Sequence, residues 1–505
     1  MSKSHVGQAL ACATLVAMIL APATLILFDS SARSSANIQF NEGMNEFNSS
    51  NFGAASDHFN RSYHMYLDAG NDAAALESLN WKLRADRVLL EYGLDRHDAE
   101  ELLAETFPWV PEHQRMAWLD APDIERIFTD GQYRYFVSIA DNIAYRNLTL
   151  YHQWKDRAGP DVLKTMMLDI LSSDANRTGT FFNPQNYTAT GSLSIDRELL
   201  PATGTMSIWV PAPIETDSQS NVQVLSVTPE EWVRTVSSPD SDIGQIYLEV
   251  DLEGLTEDIV VNVSYSFTTY QKHFTVDPDA VGDYDRTSHN YTTYTRSDGN
   301  ILITPDIAAK AREVVGEETN PYLQAKLLYD YVIGNITYSF MPHVSLSSRG
   351  IAESVYVHEN RYGDCGAQSM YYCAMLRSLG VPARACGGYQ MFVGGTGSHF
   401  WAEFYLPNYG WVPVDVTAAD AMDNIALGAA TAEEIASYKA YFFGNMDNMR
   451  YVIQNDVDVP LSPEPEMAPP IYAAFQNPTA SCPASDQDMP IIAMMSWTFV
   501  ITAED

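Results

Sequence analysis

Two alternating runs separated by a short turn constrain this chain more than any other stretch. His399-Phe400-Trp401-Ala402-Glu403-Phe404-Tyr405 and Trp411-Val412-Pro413-Val414-Asp415-Val416 read as antiparallel strands joined by Pro407-Asn408-Tyr409-Gly410. Side chains alternate faces along a strand, so the loop length decides which residues meet. An even loop of four residues would pair Leu406 with Trp411 and send Asp415 to the face opposite His399. A loop of three or five residues pairs Tyr405 with Trp411 and Trp401 with Asp415, which puts Asp415 on the His399 face, diagonal to it.

Upstream, Gly363-Asp364-Cys365-Gly366-Ala367-Gln368-Ser369-Met370 places a cysteine at a helix start. Asp364 is a good N-cap, and the helix runs through Ser369, Tyr372, Leu376 and Leu379 to a stop at Gly380, with Pro382 beyond. A thiol at that position meets the positive end of the helix dipole, which favours the thiolate and lowers its pKa below the free value of about 8.5. The Cys365 N–H has no partner within the helix and can face a developing oxyanion. With an odd hairpin loop the roles follow. Cys365 is the nucleophile, His399 takes its proton and later protonates a leaving amine, and Asp415 holds the imidazole tautomer and stabilises its charged form. A lone Asp-Cys pair is more often a capped helix with a buried cysteine, and a lone strand histidine is more often a surface residue. The combination is what carries the chemistry.

These motifs resemble the transglutaminase-like core shared with papain-type cysteine proteases. The resemblance rests on Ala325-Lys326-Leu327-Leu328-Tyr329-Asp330-Tyr331-Val332, Ile336-Thr337-Tyr338, Gly363 to Ser369, Leu376 to Arg384, His399 to Glu403 and Gly410 to Thr417. It covers about a fifth of the chain. It implies that Cys365, His399 and Asp415 act as nucleophile, base and orienter in acyl transfer from a Gln side chain or a peptide bond, through a thioester, to water or an amine. It also implies a second oxyanion donor upstream of the cysteine, often an aromatic, for which Tyr356 and Tyr362 are the candidates. The acidic run Asp277 to Asp285 fails as a calcium loop, because its fifth position is Val281 and its twelfth would be Ser288. No cofactor or metal is expected.

Outside this core the composition shifts twice. Residues 34–175 read as helical. Gly43, Phe47, Phe52, Ala55, Phe59, Ser62 and Tyr66 have the spacing of one tetratricopeptide-like helix pair, or of an ordinary helical hairpin, and residues 112–171 are expected to continue as helix. Residues 176–275 are rich in Thr, Val, Ser and Tyr. Strands at Thr205–Val210, Val222–Val227, Gln245–Val250 and Ile259–Tyr265 predict an antiparallel β-sandwich. The core is expected over 300–450, with a helix capped by Asp306, a second helix from Pro321, a strand near Tyr338 and a loop to 360. A Pro-rich extension, 451–505, is expected to be irregular and to close on a strand at Ser496–Thr502. The predicted fold class is therefore α+β and multidomain: anchor, helical region, sandwich, papain-like transglutaminase core.

The first segment, 1–33, contains 20 uncharged residues from Ala9 to Phe28. That length suits an uncleaved membrane helix better than the shorter apolar region of a signal peptide, although Ser30-Ser31-Ala32 offers small residues for cleavage. Either reading puts the main body outside the cytoplasm, anchored or secreted. Eight Asn-x-Ser/Thr sequons, from Asn48 to Asn335, agree weakly with export. A net charge of −36 repels phosphates and anionic headgroups, so nucleic acid is not an expected partner. Beyond Cys12 there are four cysteines, too few for a disulfide scaffold, and Cys373 and Cys386 are expected to be buried thiols. The expected function is an exported cysteine-dependent acyl-transfer enzyme acting on a protein or peptide, with hydrolysis favoured over cross-linking. The alternative is a non-catalytic envelope scaffold built on the same fold.

Overall fold

The structure, a computed structural model, describes residues 34–155, 162–392, 395–421, 430–467, 474–482 and 495–504. The expected anchor at Ala9–Phe28 lies outside the described residues. Among the described residues, no helix is long and apolar enough to cross a membrane. The chain forms two compact units, one running to Asp95 together with Arg126–Tyr135, the other holding Arg96–Glu125 and everything from Phe136 onward.

The first unit is a helical hairpin, Phe52–Asp68 against Asp72–Glu91, preceded by helical residues 34–48. Phe47, Phe52, Ala55, Phe59, Leu79 and Leu83 are buried at its seam. Helix does not continue through 112–171. Arg126–Thr129 and Gln132–Tyr135 form a β-hairpin around Asp130-Gly131, both with positive φ. A two-residue Asp-Gly turn of that kind matches the twist of its strands. Asp130 then accepts from the N–H groups of Gly53 and Ala54 at 2.8 and 3.1 Å, capping a helix whose own Asn51 makes no side-chain cap.

The second unit holds the sandwich and the core. One sheet of the sandwich runs Met495–Ala503, Phe181–Ile195, Ile259–His273, with Gln219–Thr228 also on Ile259–His273; the other runs Thr479–Ser481, Thr205–Pro211, Gln245–Asp251, Val233–Val236. All four predicted strands form. The long strand Phe181–Ile195 is an addition to the expected four. Pro184 falls in a bulge between Phe182 and Gln185. At Gly191 a Cβ would stand 2.1 Å from the Trp497 ring, so only glycine lets that indole lie flat on the strand. The Pro-rich extension is also more regular than expected. It begins inside a strand of the core sheet, and its later strands complete both sandwich sheets.

The core sheet is antiparallel, in the order Gly410–Val414, Gly395–Leu406, Ala383–Phe392, Arg450–Gln454. Its last strand comes close because a Cβ on Gly388 would lie 1.7 Å from the Tyr451 carbonyl oxygen, a place only glycine can fill. The helix Cys365–Ser378 is buried along most of its length against this sheet. Thr304, not Asp306, caps the helix Pro305–Val315. The expected loop to 360 instead carries two short helices, His343–Arg349 and Glu353–Asn360.

Candidate active site

The nucleophile helix starts where its sequence requires. Asp364 accepts from the Ala367 N–H at 3.0 Å, and Cys365 is the first helical residue. The hairpin has the odd loop. Leu406 pairs with Gly410 and Tyr405 with Trp411, leaving Pro407, Asn408 and Tyr409 as the turn. Asp415 therefore comes round to His399, whose Nε2 lies 2.7 Å from Asp415 Oδ2. The Cys365 thiol sits beside the backbone N–H of Phe400, the residue after His399.

Asp415 has no exposed surface, and every bond to it has a donor. Oδ1 accepts from the Ala418 N–H at 2.8 Å and from Thr417 Oγ1 at 3.3 Å, making Asp415 the N-cap of the helix Val416–Asp420. Oδ2 takes His399 and, at 2.6 Å, Arg450 Nη1. Burial alone would raise this carboxyl, but His399 and Arg450 overcome it and hold Asp415 well below the usual carboxylate range. A carboxylate can only accept, so His399 Nε2 donates and Nδ1 of the neutral ring is the free base.

The thiol behaves differently from the expectation. Burial and the adjacent Asp364 carboxylate push Cys365 well above its ordinary value, and the N–H groups of Phe400 and Gly366 do not offset them. The helix start is present, but burial, and then the carboxylate one residue away, outweigh it. Cys373 and Cys386 are buried free thiols, also pushed up by burial, and Cys386 Sγ donates to the Asn455 carbonyl.

Beside His399 opens a cavity of about 220 Å³ walled by Tyr145, Tyr151, Tyr338, Asp447 and Arg450. Tyr338 lines this cavity with His399, and burial, with the nearby Cys365 and Asp364, pushes its hydroxyl well above the usual tyrosine range. It is placed by a two-residue parallel ladder, Thr337–Tyr362 and Tyr338–Gly363, which ends just before Asp364. Tyr356 and Tyr362, the expected donors, bond each other at 3.1 Å, and Arg146 stacks on the Tyr362 ring.

Residues 308–416 match the transglutaminase-like superfamily. The chain carries a transglutaminase-like domain. A curated protein of Haemophilus influenzae, described as uncharacterized, is 26% identical over 200 residues, which is 35% of this chain and 52% of that protein. The chain thus matches about half the length of that relative. A candidate cysteine protease of Cytophaga hutchinsonii superposes with a TM-score of 0.39 at 15% identity, over 64% of this chain and 92% of its own. The periplasmic domain of TgpA from Pseudomonas aeruginosa gives a TM-score of 0.22 at 15% identity, over 47% and 98%. The motif match, not these superpositions, carries the assignment of the transglutaminase-like domain.

Sequence reasoning did not find Arg450, the second partner of Asp415 Oδ2, nor the place of Tyr338 in the wall beside His399. Tyr338 stood in the Ile336-Thr337-Tyr338 motif, and strand pairing with Tyr362-Gly363 was the missing step. Nothing local marks Arg450, which lies 35 residues beyond Asp415.

Proposed function

We propose that this chain is a cysteine-dependent acyl-transfer enzyme acting on peptide or Gln-amide bonds of a protein or peptide, with water as the usual acceptor. The observation that carries this reading is the 2.7 Å bond from His399 Nε2 to a fully buried Asp415, beside a cysteine at a helix start. The raised thiol points to proton transfer during attack rather than to a standing thiolate. As Sγ bonds the carbonyl carbon, its proton passes to His399 Nδ1, and Asp415 stabilises the imidazolium. The N–H of Cys365 and the Tyr338 hydroxyl take the oxyanion. The C–N bond breaks, His399 returns the proton to the amine, and a thioester remains. Water deprotonated by His399 then releases the acid and the free thiol. The apolar stretch at Ala9–Phe28 supports export as part of this proposal.

The raised thiol is also what a non-catalytic scaffold would show, so the two readings need a direct test. An activity-based thiol probe followed by peptide-library hydrolysis, with and without a primary amine, separates them. The proposal expects labelling at Cys365, turnover that Cys365→Ala abolishes, and a hydrolysed product even when amine is present. A Cys365→Ala chain indistinguishable from the parent in both assays would establish the scaffold.

A further inference from the structure

His343 stands between two carboxylates behind the nucleophile. Its Nδ1 lies 2.6 Å from Glu353 Oε1 and its Nε2 lies 2.6 Å from Asp364 Oδ2. Glu353 is buried, and Asp364 uses its other oxygen to cap the helix that begins at Cys365. A neutral imidazole has one N–H and cannot donate on both sides. With a carboxylate at each edge, the ring is an imidazolium. The two carboxylates take opposite nitrogens of the ring, and the three side chains also offer ligand atoms within 4.8 Å of one another, so a metal is the competing occupant.

We propose that His343 is a positioning residue for the Cys365 thiol: as an imidazolium clamped by Glu353 and Asp364, it fixes and neutralises the carboxylate that caps the nucleophile helix. This rests on Cys365 being the nucleophile. The physical consequence is local. Asp364 is the neighbouring charge that most opposes thiolate formation, and His343 is the only cation hydrogen-bonded to it among the described residues. The charged groups facing the ring are Glu353 from the helix Glu353–Asn360 and Asp364 from the helix cap; Asp458 lies beyond Glu353, and Cys365 beyond Asp364. Both carboxylates favour the charged ring strongly enough to outweigh its burial, so the clamp persists above the usual histidine range. It opens only when the ring loses its second proton at higher pH.

The test is the pH dependence of Cys365 alkylation by iodoacetamide in the full chain, followed at that residue by mass spectrometry. His343→Gln strips the compensation from Asp364 and moves the midpoint up by about one pH unit, lowering the neutral-pH rate about tenfold. Asp364→Asn keeps an efficient cap, removes the opposing charge and moves the midpoint down. The double variant stays with Asp364→Asn, since His343 then has no carboxylate to compensate there. A His343→Gln midpoint equal to the parent's, or an equal shift in both backgrounds, overturns the clamp. If His343→Gln does not fold, Asp364→Asn still decides, because an unchanged midpoint in that variant overturns the clamp. Loss of alkylation on adding EDTA, restored by a divalent cation, would also overturn it in favour of a metal site. Peptide turnover is read separately: shifted midpoints without turnover support the clamp and count against acyl transfer.

Discussion

Asp415 is the residue on which the site depends, because it accepts from both His399 and Arg450 while having no contact with water. Asp415→Asn preserves the helix cap but no longer dictates which imidazole nitrogen carries the proton. Turnover should fall by a factor on the order of 10²–10⁴, with a smaller loss of stability than Arg450→Met because Arg450 keeps Asp447, measured as kcat against the melting temperature. Arg450 answers to a different cost. It also bonds Asp447, with Nη2 to Oδ2 at 2.7 Å, so Arg450→Met leaves two buried carboxylates without their cation. That should cost about 3–5 kcal/mol of folding free energy in urea unfolding. An unchanged midpoint would show that the pair is solvated and that the buried network is not what holds Asp415. Legibility at this scale follows sequence distance. Asp364 and Cys365 are adjacent and their cap is local, so the helix start could be read directly. His343 reaches Asp364 across 21 residues and Arg450 reaches Asp415 across 35 residues, and no periodicity records such contacts.

The oxyanion role proposed for Tyr338 depends on how two elements pair. Strand Thr337–Tyr338 lies parallel to Tyr362–Gly363, and Ser339 N–H extends the ladder to the Gly363 carbonyl. That ladder sets Tyr338 against the residues leading into Cys365, whereas Tyr356 and Tyr362 are tied to each other by one hydroxyl–hydroxyl bond. Tyr338→Phe should therefore lower kcat by about 10²-fold while leaving Cys365 alkylation and the melting temperature close to the parent's. Tyr356→Phe and Tyr362→Phe should leave kcat within a small factor; the reverse pattern would return the role to those residues. The hairpin was legible because its alternation admits only two outcomes and a turnover site needs one of them. The helices His343–Arg349 and Glu353–Asn360 were not, being short and without an apolar period. The Arg126–Tyr135 hairpin was marked by Asp130-Gly131, a local signal that a helical reading of 112–171 underweighted.

Across the second unit, the sandwich and the core share a buried ionic joint. Lys272, at the end of the sandwich strand Ile259–His273, donates to Glu403 Oε1 at 2.6 Å, and Arg384 reaches Oε2 of the same carboxylate at 2.7 Å. Arg384 and Glu403 are direct cross-strand partners in the core sheet, and the Arg384 guanidinium stacks on Trp411. Burial alone would raise Glu403, but the two cations outweigh it and bring its pKa down to about 2. A carboxyl lowered on folding contributes stability that is complete above its unfolded value of about 4.3 and is lost as pH falls through the folded value. The urea midpoint should accordingly fall between about pH 5 and pH 2, and Glu403→Gln should flatten that fall. Lys272→Met removes one of two cations, leaving Arg384 to hold Glu403, so it should cost less than Arg450→Met does at Asp415 and Asp447. It should also move the acid transition to higher pH, since the folded carboxyl is then less depressed. If Lys272→Met left the acid transition where it is in the parent, Arg384 alone would hold Glu403, and the sandwich would be joined to the core by apolar packing rather than by charge.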